Sequence, residues 1–162
     1  MKYCLIFSLT LLISGCGLLP SGTSFKQAAT AQTTTLQTTT TQKNSHQLYH
    51  SIGGDEGIER ITDAFIKQIA RDPDILPYFA KSSVSHFKQG FISHLCATVK
   101  GPCEYKGDSM IDIHTGMNIN EKDFNRTVEL LIAAMEEVGV SYRDQNKILK
   151  ALAPLRSEII HY

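Results

Sequence analysis

From Gln47 onward the apolar residues recur at steps of three and four, and that spacing leaves room for little except helices. Ile58, Ile61, Phe65 and Ile69 share one helical face. Asp72-Pro73 closes that helix, because a proline ring disfavours a helical residue before it. A short segment, Ile75–Phe79, follows. Val84, Phe87, Phe91 and Leu95, with Ile92 beside them, form a second face that Gly101-Pro102 interrupts. Met110, Ile113, His114 and Met117 form a third, shorter one. Asn120 is placed to cap the next helix, whose face is Phe124, Val128, Leu131, Ile132, Met135 and Val138, with Gly139 as its stop. Ser141 is placed to cap the last, with Ile148, Leu149, Leu152, Leu155 and Ile159 inward and Pro154 as a kink. No stretch alternates with period two, so the expectation is an all-α domain with no sheet.

The chain of 162 residues holds about one domain by the rough prior of ~100–200 residues each. Its first residues, Met1–Cys16, carry one cation, Lys2, and an apolar run to Ile13. The run falls short of the about 20 residues a membrane-spanning helix needs, and suits an export signal instead. Leu12-Ile13-Ser14-Gly15-Cys16 resembles the lipobox of bacterial lipoproteins. That resemblance implies a signal peptide over 1–15, lipidation of Cys16, and loss of Cys4 with the signal. Between Thr23 and Thr41 stand nine threonines and almost nothing apolar, too little to offset the entropy of ordering. The expected organisation is therefore a lipidated, Thr-rich tether over 16–46 and a folded domain over 47–162. The expected location is the bacterial cell envelope, with the membrane as a partner through the lipid. Gly17 after the cysteine favours the outer membrane in a Gram-negative host.

Sixteen basic and sixteen acidic residues give zero formal charge, which lacks the electrostatic footprint of a nucleic-acid binder. The chemistry concentrates on His114, set on an apolar face between Met110 and Met117. Such a histidine is either a satisfied core residue or a ligand. Around it there is no His-x3-His, HExxH or Cys-x2-Cys spacing for a metal held by several side chains. Haem differs, needing one ligand to iron and a greasy slot, which the faces carrying Phe65, Phe87, Phe91 and Met110 can supply.

Leu48-Tyr49-His50-Ser51-Ile52-Gly53-Gly54 is similar to the opening of the truncated haemoglobins, group I in particular. The resemblance continues through Phe65, Asp72, Tyr78-Phe79-Ala80 and Leu95-Cys96-Ala97. It is densest from Gly101 to Gly107 and over Met110, His114, Gly116-Met117-Asn118-Ile119 and Phe124, and closes at Gly139-Val140 and Pro154-Leu155. It implies a truncated globin fold, a two-over-two helical sandwich around haem b. His114 would be the proximal ligand to iron, with its other ring nitrogen donating to a backbone carbonyl. Phe79 would pack flat on the haem, Met110 would touch its proximal face, Ile119 and Phe124 would line its edge, and Lys88 and Tyr105 would reach the propionates. Reversible binding of dioxygen, nitric oxide or carbon monoxide is the implied function.

On the distal side, where group I members commonly place a tyrosine and polar residues, this chain has Ile66, Phe87 and Phe91. Without a hydrogen bond worth ~0.5–1.5 kcal/mol, dioxygen should leave faster. Carbon monoxide binding, nitric oxide chemistry or redox sensing fit such a pocket better than oxygen storage. Nitric oxide dioxygenation or peroxide turnover would need an electron-donor protein. Two other readings stay open: a bis-histidine electron carrier using His94 or His86, although the family's hexacoordinating position holds Gly90; and a haem-free helical lipoprotein serving as a binding module. His46, His50 and His161 lie near the domain's ends and are expected to be solvated. Cys96 and Cys103 would lie more than about 10 Å apart on one continuous helix, so a disulfide requires the helix to end soon after Cys96 and the chain to double back through Gly101-Pro102.

Overall fold

A computed structural model of the chain describes residues 46–160. The signal, lipobox, Cys16 and tether readings, and His161, lie outside them. Helices α1 (Gln47–Ser51), α2 (Gly54–Arg71), α3 (Val84–Thr98), α4 (Met110–His114), α5 (Glu121–Glu137), α6 (Tyr142–Leu152) and α7 (Arg156–Ile159) carry the domain, with 3-10 turns at Leu76–Phe79 and Ala153–Leu155. No strand occurs among the described residues, as the spacing predicts.

Helix α2 is the spine. Its face of Ile58, Ile61, Phe65 and Ile69 is buried, and it packs most heavily on α5 and next on α3. Helix α3 in turn meets α6, which gives two helix pairs laid across each other. The core between them holds Ile58, Ile61, Leu95, Met135 and Ile148, all essentially inaccessible to solvent. Gly57 makes the entry of α2 possible: a Cβ there would lie 1.8 Å from the Ile52 carbonyl oxygen.

Side chains satisfy the first amide groups of four helices. Asn120 accepts from the Asp123 amide at 3.1 Å and Ser141 from the Asp144 amide at 3.2 Å, as the sequence suggests. Ser83 and Ser109 do the same for α3 and α4. Gly139 ends α5 with φ +78°, and the Val140 amide returns to the Met135 carbonyl at 2.9 Å. Three expectations need correcting. Pro154 does more than kink the last helix, which breaks into α6, a 3-10 turn and α7. Helix α4 stops at His114, so Met117 lies beyond it, after a turn in which Gly116 and Asn118 take positive φ. Ile113 faces solvent, because α4 is a short helix with its main neighbour, α7, on one side.

Cys96 and Cys103 form a disulfide, with Cα atoms 5.8 Å apart. The condition set by the spacing is met: α3 ends at Thr98, Lys100 takes a left-handed φ of 59°, and the Gly101 amide returns to the Cys96 carbonyl at 2.8 Å. His46 is partly solvated and also tied down, its Nδ1 donating to the Lys100 carbonyl.

Candidate functional site

Four of the expected site residues form one aromatic wall. Phe65 on α2 lies 5.1 Å from Phe91, ring centre to ring centre; Phe91 is 5.7 Å from Phe87, and Phe87 meets Phe79 edge-on at 4.9 Å. Phe65 is buried, whereas Phe79, Phe87 and Phe91 are only half-buried although they sit against the core. Ile66 borders the same wall and lines an apolar cleft of about 70 Å3 with Ile69, Leu76, Phe79, Val84 and Phe87.

The turn bearing Phe79 is held by polar pairings, Asp72 with Arg126 and Tyr78 with Asp123, that the sequence does not announce. Asp72 is buried; its Oδ1 accepts from the Asp74 and Ile75 amides at 3.0 and 2.9 Å, and its Oδ2 from Arg126 Nε at 2.7 Å. Arg126, together with those amides, holds the carboxyl below the usual aspartate value. Tyr78 donates to Asp123 Oδ2 at 2.6 Å, so the residue before Phe79 is fastened to α5. Asp-Pro-Asp carried a usable signal, since an aspartate commonly turns its carboxylate onto amides two and three residues on.

His114 stands at the end of α4, half-buried, with Nδ1 2.7 Å from the Met110 carbonyl oxygen. A carbonyl can only accept, so Nδ1 carries the hydrogen and a neutral ring keeps its lone pair on Nε2. Nε2 has no partner among the described residues. Helix α4 rests on α7 and makes no comparable packing with α3. Met110 is half-buried, Ile119 is buried, and Phe124 lies under the Arg156 guanidinium, 5.8 Å from its ring centre.

Lys88 and Tyr105, expected at propionates, have protein partners here. Lys88 Nζ is 2.7 Å from Asp63 and 3.0 Å from Glu59, and these carboxylates raise its pKa. The Tyr105 ring meets His94 edge-on at 5.1 Å and its hydroxyl donates to the Asp108 carbonyl at 2.9 Å. Burial lowers the pKa of His94, favouring the neutral ring, and no hydrogen bond engages that ring among the described residues. His86 is exposed.

An imidazole whose Nε2 has no protein partner among the described residues, beside a wall of incompletely covered aromatic rings, is a donor set that fits haem. Together with two crossed helix pairs, these features define the shortened, two-over-two class of globin.

The chain belongs to the bacterial-like globin family, whose sequence profile matches residues 47–161. It is similar to the group 1 truncated hemoglobin GlbN of Nostoc sp. (strain MUN 8820), 30% identical over 114 residues that make up 70% of this chain and 97% of that one. The group 1 truncated hemoglobin of Tetrahymena pyriformis is 26% identical over 113 residues, 70% of this chain and 93% of the relative. The solved Fe(III) form of truncated hemoglobin from that organism superposes with a TM-score of 0.68 at 25% identity, covering 71% of this chain and 98% of the other. The cyanomet 2/2 hemoglobin of Synechococcus sp. PCC 7002, at 18% identity, shares the fold with a TM-score of 0.66 over 70% of this chain and 97% of that one. Truncated hemoglobins of the globin family bind haem, and membership implies haem-based binding of a diatomic gas.

Proposed function

We propose that this protein holds haem b through His114 Nε2 and reversibly binds a diatomic gas, with carbon monoxide and nitric oxide retained better than dioxygen. Bound there, haem supplies an iron centre with a free coordination position for the gas. The observation that carries the reading is the His114–Met110 hydrogen bond, which occupies Nδ1, leaves Nε2 as the ring nitrogen available to iron and sets the ring's orientation. Phe79, Phe87 and Phe91 supply apolar cover that keeps water from the ligand side. Ile66, Phe87 and Phe91 offer no side-chain hydrogen to a bound gas, and Lys88, the nearby cation on α3, is engaged by Asp63 and Glu59. That combination disfavours dioxygen, which gains most from a distal donor.

The test is an absorption spectrum of the reduced protein with and without carbon monoxide. A Soret band that shifts on adding the gas supports the reading. It should disappear in His114→Ala while the far-ultraviolet circular dichroism of the helices persists. Retention of the band in that variant refutes His114 as the ligand. A second reading, bis-histidine electron transfer, draws on the His94 ring three residues after Phe91, which meets Tyr105 edge-on and makes no hydrogen bond among the described residues. It requires low-spin ferrous bands without added ligand, and their loss in His94→Ala. Any oxidative turnover of nitric oxide would take electrons from a separate donor protein.

The same proposal includes tethering at the bacterial cell envelope through lipid on Cys16, supported by Leu12-Ile13-Ser14-Gly15-Cys16. No helix among the described residues is long and apolar enough to cross a membrane.

A further inference from the structure

The segment between α3 and α4 delivers His114, and it has few attachments. No backbone–backbone hydrogen bond joins residues 102–108 to the rest of the described chain. What fastens the segment is the Cys96–Cys103 disulfide at its start and the edge-on contact of Tyr105 with His94 at its middle. From there the Tyr105 hydroxyl reaches the Asp108 carbonyl, and Ser109 caps α4. At the disulfide there is no slack: a Cβ on Gly101 would lie 2.6 Å from Cys96 Sγ and 2.7 Å from the Tyr49 ring. Cys96 is 1% exposed and belongs to the core, while Cys103 is half-buried at the core's edge. One sulfur is therefore anchored in the rigid part of the fold, and the other sits on the strap leading to His114.

We propose that the Cys96–Cys103 disulfide is a redox-sensitive clamp that positions the His114 segment, so that reduction by a dithiol protein loosens the proximal side while the α2–α5 core stays folded. Its functional consequence rests on His114 being the iron ligand; the clamp itself does not. A donor thiolate attacks the more accessible Cys103 sulfur, and Cys96 leaves as a thiolate that takes up a proton. The donor's second thiol then displaces Cys103 as its disulfide closes. Two electrons and two protons pass from the donor dithiol to the protein, and a disulfide oxidant reverses the step. Once freed, the strap keeps only the His94–Tyr105 ring contact, and α4 loses a fixed end 11 residues before His114.

The test is hydrogen–deuterium exchange, read by mass spectrometry, on the full chain before and after dithiol treatment. Cys103→Ala serves as a second form that breaks the bridge without touching the core cysteine. Exchange at the hydrogen-bonded amides of α4 and the turn after it, residues 112–117, should rise by about tenfold or more in the reduced protein and in Cys103→Ala, with α2 and α5 unchanged. Haem transfer to an acceptor apoprotein should quicken in the same two forms. Three results overturn the clamp: thiols rather than a disulfide in aerobically purified protein, unchanged exchange over 112–117 after confirmed reduction, or exchange rising equally throughout α2 and α5. Faster exchange with no effect on haem retention upholds the clamp and refutes its link to His114 as ligand.

Discussion

Replacing Ile66 by tyrosine adds a hydroxyl beside the Phe79–Phe87 wall, and Ile66→Phe is its control with the same ring and no hydrogen to donate. Ile66 is half-buried and faces a cleft of about 70 Å3 beside Phe79 and Phe87, so a larger side chain there has space to enter. Dioxygen in a globin site carries partial negative charge on its outer atom; carbon monoxide carries far less. One new hydrogen bond of about 0.5–1.5 kcal/mol slows dioxygen release by about 2-fold to 13-fold at 25 °C. The upper part of that range is expected, because the acceptor is partly charged and the neighbouring rings exclude competing water. Stopped-flow replacement of dioxygen by carbon monoxide reads the rate in the parent, Ile66→Tyr and Ile66→Phe. The tyrosine variant should be about tenfold slower than its phenylalanine control, with carbon monoxide release altered by less than about twofold in both. Equal dioxygen rates in the two variants would refute the assignment of Ile66 to the ligand side. Equal slowing of both gases would show that bulk, not hydrogen bonding, controls escape.

Gly57→Ala should cost about 3 kcal/mol and lower Tm by about 10 °C, because the new methyl would fall 1.8 Å from the Ile52 carbonyl oxygen; calorimetry showing a change under 2 °C would contradict that close approach. The carboxyls of Asp72 and Asp144 are held below their ordinary values, chiefly by Arg126 and Lys147 respectively. A depressed folded-state pKa stabilises above the unfolded value of about 3.9 and loses that stabilisation as pH falls through the folded one. Urea titrations should show stability dropping below about pH 4, with a shallower drop in Asp72→Asn; an unchanged slope counts against the Asp72–Arg126 pair. An Asp55 carboxylate oxygen lies within 4.8 Å of both disulfide sulfurs, and a full negative charge arriving on either sulfur at that distance meets about 0.9 kcal/mol of repulsion in water, or at most roughly a fourfold slower attack. Asp55→Asn should recover that factor in the rate of reduction by a small thiol at low salt, and the gap should narrow at high salt. Equal rates at low salt would show that this charge is not felt.

What a sequence makes legible here is whatever neighbours along the chain decide. The face of α2, the Asn120 and Ser141 caps and the Gly139 stop are local matters of spacing and turn chemistry, and each stands where the residues place it, whereas α5 seals Leu130 and Ala134 beside the expected Leu131 and Met135 and α6 seals only Ile148 of its expected face. The aromatic wall was legible because Phe65, Phe87 and Phe91 fall on apolar helical faces and the family resemblance added Phe79. Partners far apart in sequence were not. Nothing near Lys88 announces Asp63 and Glu59, and nothing near Asp72 announces Arg126, 54 residues on. The disulfide depended on where α3 ends, a matter of one turn, which lies within the error of any reading by periodicity.

The burial pattern separates what the fold needs from what the site needs. Along the α2–α5 seam Ile58, Ile61, Ala134 and Met135 are sealed from water, so that seam is complete with protein alone. Phe79, Phe87, Phe91, Met110, Met117 and Phe124 are large and apolar yet half-covered, although nothing in their chemistry favours water. Partly open apolar side chains are ordinary on a protein surface, and Leu76, Val84 and Ile113 are more exposed still, but these six include the aromatic wall and the methionines on either side of His114, where haem would add a further apolar body. Haem is flat, apolar on both faces and able to take the lone pair of His114, and it would cover these residues without disturbing the sealed seam. The same division explains why removing the His114 imidazole should empty the site and leave the helices standing.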